Sequence, residues 1–392
     1  MTTAALPAPP SERDELVIDT SEGTPVRALR GRNGALIRLT DSARGLIDRV
    51  RQGMTFEEIA REASASGPPV TAEAAEAAYR GLIERIERIE ERSPRPQGAF
   101  WLRLPLVSSR VATRVAEGLT FAFHPAAAAG ALVFGALAAA SVWPLGHALA
   151  PASFAPAFAL FLLSAAVHEL GHAAACARFG ARPGDIGLTF YLLYPAFYSD
   201  VNDAWTLRRW QRVVVDLGGV YFQLLAGAAF AFIYAASGWE PARVAVVFVL
   251  ASTLFSLNPI FKFDGYWVVA DALGVTNLGG QPLRLLRHAV ARLRRQSPPP
   301  LPWPAPVVWV LTVYAAASIV LWSVFVIRLA PHLASVLSGY VALLSALASA
   351  LAAGSWPSWS MLHGAAASTY LLVFAALMAW RLLRWPAAQL RR

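Results

Sequence analysis

The sequence predicts a mainly α, polytopic helical membrane protein of six or seven spans, preceded by a small α+β domain. Two observations carry this. Of 392 residues 56% are hydrophobic and only 15% charged, far from the balance of soluble domains. Apolar stretches of the roughly 20 residues that a bilayer core requires recur after residue 118, whereas the first hundred residues contain none.

The first elements are short and polar. Residues 1–23, with Pro7, Pro9 and Pro10, read as a disordered lead-in. Residues 25–29 and 35–39 are expected to be strands joined by a turn at 31–34. Thr40 or Asp41 then caps a helix running to Val50. Thr55, with Glu58 three residues on, caps a second, and residues 70–91 carry a third amphipathic pattern. This strand-strand-helix-helix-helix order over 24–93 resembles the PqqD-like leader-recognition domain, a winged-helix fold. The resemblance implies that the leader of a ribosomally made, modified peptide adds as a strand beside residues 35–39, with main-chain hydrogen bonds providing affinity. A purely structural or regulatory winged helix is the other reading of the same pattern.

After a Pro-containing linker at 93–97, residues 100–106 with Trp101 and Arg103 read as an interfacial approach, so that 94–118 forms a linker and interfacial segment. Spans are expected at 119–141, 154–178, 213–236, 242–262, 306–327, 333–353 and 363–383. The core would occupy 119–275, a basic cytoplasmic loop 276–300 and further transmembrane segments 301–392.

Charge placement suggests the orientation. The net charge is +9, and arginines gather around 178–212, at 284–295 and at the C-terminal end, as positive-inside anchoring requires. Seven spans would put Arg384, Arg391 and Arg392 outside, so six and seven both stay open. No basic start and apolar core of a signal peptide is seen, so the N-terminal domain is expected in the cytoplasm and the protein in the cell membrane, in a bacterium the inner membrane. The basic clusters flank apolar spans and lack recognition motifs, which argues against a nucleic-acid partner. The single cysteine, Cys176, excludes an intrachain disulfide.

The chemistry concentrates in the second expected span, which contains His168-Glu169-Leu170-Gly171-His172. Histidines at i and i+4 share one helical face and can bind one Zn²⁺, with Glu169 placed to take a proton from water. Ionisable side chains are expensive in lipid, which favours function over chance. A catalytic zinc takes three protein ligands and leaves a position for water. Asp264 is the expected third ligand, because Pro259 can open the helix before it and Gly265 permits a sharp turn. Asp216, near Gly218, Gly219 and Gln223, is a backup ligand. His124, His147, His288, His332 and His363 stand alone and receive no role.

Over 154–275, the H-E-x-x-H span and the Asn258-Pro259…Asp264-Gly265 segment resemble the site-2 protease family of intramembrane zinc metalloproteases, and 258–267 resembles its peptide zinc metalloprotease branch. The resemblance implies that His168, His172 and Asp264 hold zinc and that Glu169 is the catalytic acid/base. It also implies that Asn258 assists the substrate or the oxyanion. The chain departs from the family at Phe263, where a leucine is more common, and in having Lys262 close to the ligand. Residues 187–201, rich in aromatics and β-formers, read as a membrane-surface hairpin; in the family a sheet edge here aligns extended substrate, and an interfacial aromatic belt is the alternative.

The expected function is therefore metal-assisted hydrolysis of a membrane-associated or precursor peptide within the bilayer, in maturation or export of a modified peptide. The alternative is a non-enzymatic export or immunity component with a structural zinc site, to which Glu169 would be dispensable. A membrane di-iron oxidase would require more clustered histidines.

Overall fold

The computed structural model describes residues 6–11, 15–21, 26–31, 36–91, 100–142, 151–191 and 194–390. The linker at 93–97, most of the turn at 31–34, and Arg391 and Arg392 lie outside the described residues.

Near the N-terminus, β1 (Glu15–Ile18), β2 (Val26–Arg30) and β3 (Leu36–Leu39) form an antiparallel sheet in that order, with Val17 opposite Arg27 and Leu29 opposite Ile37. Part of the segment expected to be a disordered lead-in is therefore a strand. The run Glu15-Leu16-Val17-Ile18 is too short to carry a period of its own, and the backbone bonds of β2 stabilise it. Three helices follow: α1 (Asp41–Arg51), α2 (Phe56–Ser66) and α3 (Ala72–Glu91). Thr40 caps α1 by accepting the Ala43 N–H at 3.2 Å. At α2, Thr55 and Glu58 form a reciprocal capping box. Leu29, Leu39, Ile47, Tyr79, Ile83 and Ile86 interlock as the buried core of this part.

The linker expectation for 94–118 misses two elements, β4 (Phe100–Val107) and α4 (Ser109–Leu119). β4 joins β5 (Ile186–Tyr191) and β6 (Tyr194–Ser199) in a second sheet, ordered β4-β5-β6. α5 (Pro125–Val142), α6 (Phe154–Arg178), α7 (Arg209–Ser237), α8 (Glu240–Ser256) and α9 (Asp264–Leu273) build the apolar core. Small and β-branched side chains such as Ala157, Ala231, Val244, Ala245 and Val249 fill the interior between α6, α7 and α8. Gly171 of α6 and Gly218 of α7 let the two backbones touch: a Cβ at Gly218 would lie 2.6 Å from the Gly171 carbonyl oxygen.

The N-terminal sheet is fastened to this core. The Ser21 hydroxyl donates to the Leu273 carbonyl at 2.6 Å, and its N–H donates to the Gly274 carbonyl at 2.9 Å. Asp19 pairs with Arg209 at 3.2 Å, while the buried Arg212 donates to the Asp19 carbonyl at 2.8 Å and to the Asp271 carboxylate at 2.7 Å. Ile18 and Ala28 pack on Trp205.

A second compact unit contains residues 277–392 and 190–195. It comprises α10 (Gln281–Leu293), α11 (Ala305–Ala352) and α12 (Trp359–Leu390), with the Tyr340 and Thr369 hydroxyls hydrogen-bonded at 2.8 Å. The spans expected at 306–327 and 333–353 are one continuous helix, α11, which carries Pro331 in its interior. Proline withdraws a single N–H and bends a helix without always ending it, and the apolar sequence on both sides is uninterrupted.

Among the described residues, α6, α7, α11 and α12 are long and apolar enough to cross a membrane, and a fifth span results if the bent pair α4 and α5 counts as one. This set fits a membrane protein.

Candidate metal centre

The hydrophobic interior of α6 is interrupted at His168 and His172, which one helical turn brings onto the same face. α9 supplies the third side chain. Asp264 is its first residue, delivered by a turn after α8 in which the Asn258 side-chain oxygen accepts the Ile260 N–H at 2.9 Å. The donor atoms of His168, His172 and Asp264 all lie within 4.8 Å of one another. His168 Nε2 is 3.1 Å from His172 Nε2 and 3.0 Å from Asp264 Oδ2, and His172 Nε2 is 3.4 Å from Asp264 Oδ1.

The outer partners set the ring tautomers. His172 Nδ1 faces the Val215 carbonyl at 2.8 Å and His168 Nδ1 faces the Gln223 side-chain oxygen at 3.1 Å. Each acceptor requires a proton on Nδ1, so both Nε2 atoms present lone pairs towards each other and towards the carboxylate. Three electron-rich atoms converging in this way repel unless a cation lies among them. The separations suit one: ligands about 2.0 Å from a tetrahedral ion lie roughly 3.3 Å apart. Gln223 is held in turn by Ser252, to whose Oγ its amide donates at 3.0 Å, and Ser256 donates to Asp264 Oδ2 at 2.6 Å. Such outer hydrogen bonds orient metal ligands and raise their basicity.

Gly219 of α7 leaves the space that this arrangement needs. A Cβ there would lie on the Nε2 atoms of both histidines and 2.7 Å from His168 Cδ2. The cradle and the donor set together fit a divalent ion of zinc type, bound by two imidazoles and a carboxylate with a position to spare.

Glu169 follows His168 on α6 and is not one of the three converging groups. Its carboxylate faces the Ser199 backbone at the end of β6, so the second sheet reaches the centre. Lys262 lies with its ammonium 5.7 Å from the Tyr266 ring centroid. Asp216 faces Asp271, beside the Arg212 pair, and stands outside the converging set. Asn258 is occupied in its own turn, and no hydrogen bond among the described residues joins its side chain to the centre. Sequence reasoning missed Ser252, Ser256, Ser199 and the Val215 carbonyl, and named Gln223 only as a neighbour of the backup ligand Asp216. The available signal was Gln223 itself, an amide within an apolar helix.

Over 118 residues the chain is 30% identical to a Bacillus subtilis (strain 168) protein named "Putative peptide zinc metalloprotease protein YydH". The match covers 29% of this chain and 46% of that protein, so less than half of the relative is spanned. No protein-family model matches the chain, and no solved structure does. The similarity suggests a zinc metallopeptidase, and the His168, His172 and Asp264 group agrees with zinc.

Proposed function

We propose that the protein is a multi-pass intramembrane zinc metallopeptidase of site-2 protease type in the cell membrane, with its N-terminal domain in the cytoplasm. The observation that carries this is the convergence of His168, His172 and Asp264 beside a carboxylate, Glu169, left free of the ligand set.

Zinc, when bound by His168, His172 and Asp264, supplies Lewis-acid activation of a water and of the scissile carbonyl. Glu169 takes a proton from the attacking water and delivers it to the departing amine. Gln223 and the Val215 carbonyl hold the imidazoles in the tautomer that keeps Nε2 free. Asn258 stabilises the oxyanion through its side-chain N–H groups, since its oxygen is already engaged by Ile260. Extended substrate backbone cannot stay unpaired in lipid, and β6, an edge strand whose last residue, Ser199, faces Glu169, offers the main-chain partners it requires. In the winged-helix-like domain β3 is likewise an edge strand, where the leader of a precursor peptide would pair, which makes peptide maturation the process served.

The test is Glu169→Gln in the purified full chain with a membrane-associated peptide library. Zinc content near one per chain with hydrolysis lost is the expected result. Undiminished hydrolysis would refute the acid/base role, and a wild type without zinc would refute the zinc metallopeptidase reading.

A further inference from the structure

A second site lies on α4, apart from the metal centre. The helix presents three sides. Ala112 and Ala116 are buried, packing with Ala173 of α6 and with Ile186, while Val111 and Val115 are 48% and 41% exposed. Arg110, Arg114 and Glu117 share the third side by helical spacing. The segment Ser109–Phe123 is bent by 78° from the first part of the apolar helix α5. With α5 entering a membrane along its normal, the bend sets α4 close to the membrane plane, the posture of an interfacial amphipathic helix. Near its two ends Phe121, 66% exposed, and Leu106, 61% exposed, add further apolar surface.

The charged side borders a cleft of about 460 Å³ lined by Ser109, Arg110, Thr113, Arg114, Glu117 and Arg182, with Pro183 at its wall. Arg182 comes from the loop after α6, so two separate segments contribute the three arginines that line one space. All three residues are exposed, and none forms an ion pair with another described residue. Among the described residues Glu117 is the one carboxylate lining the cleft, and two more acids border it, Asp185 accepting the Ser109 N–H at 2.6 Å and Asp203 the Arg182 backbone N–H at 2.8 Å, so the three arginines there face three carboxylates.

We propose that this cleft binds the phosphate headgroup of an anionic phospholipid, with Arg110, Arg114 and Arg182 on the phosphate and the acyl chains along Val111 and Val115. Charge selects the headgroup, since guanidinium matches phosphate oxygens in pairs. Depth selects a lipid over a free anion, because the apolar side is continuous with the charged one on a helix lying in the interface. A bound lipid here would wedge α4 against α6, the helix that carries His168 and His172.

The experiment uses the full chain in neutral detergent and follows its thermal unfolding with dioctanoyl phosphatidylglycerol, dioctanoyl phosphatidylcholine and inorganic phosphate as separate probes. Saturable stabilisation by phosphatidylglycerol alone is expected. Each of R110Q, R114Q and R182Q should weaken it roughly fivefold, and the triple variant on the order of a hundredfold. Because the three side chains are exposed, the variants should unfold near the wild-type temperature without lipid; should the triple variant not fold, the single variants decide. Unchanged affinity in the variants, equal stabilisation by phosphatidylcholine, or equal stabilisation by inorganic phosphate would overturn the proposal. So would an equal loss in R287Q/R294Q, which removes charge from a different cleft, lined by Arg287 and Arg294 of the second unit.

Discussion

Gly219 provides the sharpest test of the metal centre, because its contribution is empty space. In Gly219→Ala the new Cβ would stand 2.7 Å from His168 Cδ2 and closer still to the two Nε2 atoms, where ordinary carbon contacts need about 3.5–4.0 Å. The backbone of α7 cannot withdraw from α6 by that amount without breaking the close packing of Ala228 and Ala231 with Ala157 of α6 and with Val244 and Val249 of α8. The rings must therefore turn, breaking the Nδ1 bonds to Gln223 and Val215, or the ion must leave. Removing one outer hydrogen bond from a metal ligand weakens binding about 10–100-fold, so disturbing both histidines should exceed roughly a hundredfold. Zinc affinity would be read by chelator competition on purified protein. Gly227→Ala is the control: eight residues further along α7, its Cβ would meet Val249 Cγ1 at 2.9 Å, an overpacking that costs about 1–3 kcal/mol of stability and leaves zinc affinity alone. Wild-type zinc affinity in Gly219→Ala, or equal loss in both variants, would refute this reasoning.

Other outcomes follow from individual contacts. Gln223→Leu removes the acceptor of His168 Nδ1 and should weaken zinc binding about 10–100-fold in the same competition assay. Arg212→Met leaves the buried Asp271 carboxylate without its guanidinium and should cost about 3–5 kcal/mol, read as a lower detergent unfolding temperature. Thr55→Ala should destabilise α2 by about 1 kcal/mol in denaturant unfolding of the full chain. The Thr55 backbone N–H holds the Glu58 carboxyl below its ordinary value. Glu58 thus contributes stability above the unfolded pKa of about 4.5, and that contribution should fade as pH falls further, an effect absent when Glu58 is replaced by Gln.

The parts of this protein legible in one dimension are those whose physics is local. An apolar run of 25 residues must be a helix in lipid, and α6 coincides with the span expected at 154–178. His168 and His172 share a face by helical spacing, and the Thr55 capping box is written in four consecutive residues. Asp264 was reached from the Pro259 and Gly265 that flank it, because backbone restriction also acts at short range.

What the tertiary structure decided are pairings of distant residues, which no period can announce. β1 is too short to signal itself and exists through β2, and β4 joins β5 across some eighty positions. Gln223, Ser256 and the Val215 carbonyl acquire their places only when α7, α8 and α9 pack on α6. The three-sided character of α4 likewise needs α6 on one side and the Arg182 loop on another before its arginines enclose a cleft. The sequence alone determined which residues can carry the chemistry, since donor type and local spacing are properties of the chain itself. Their convergence on one point needed the close approach of helices at Gly171, Gly218 and Gly219, a matter of packing that the chain resolves only on folding.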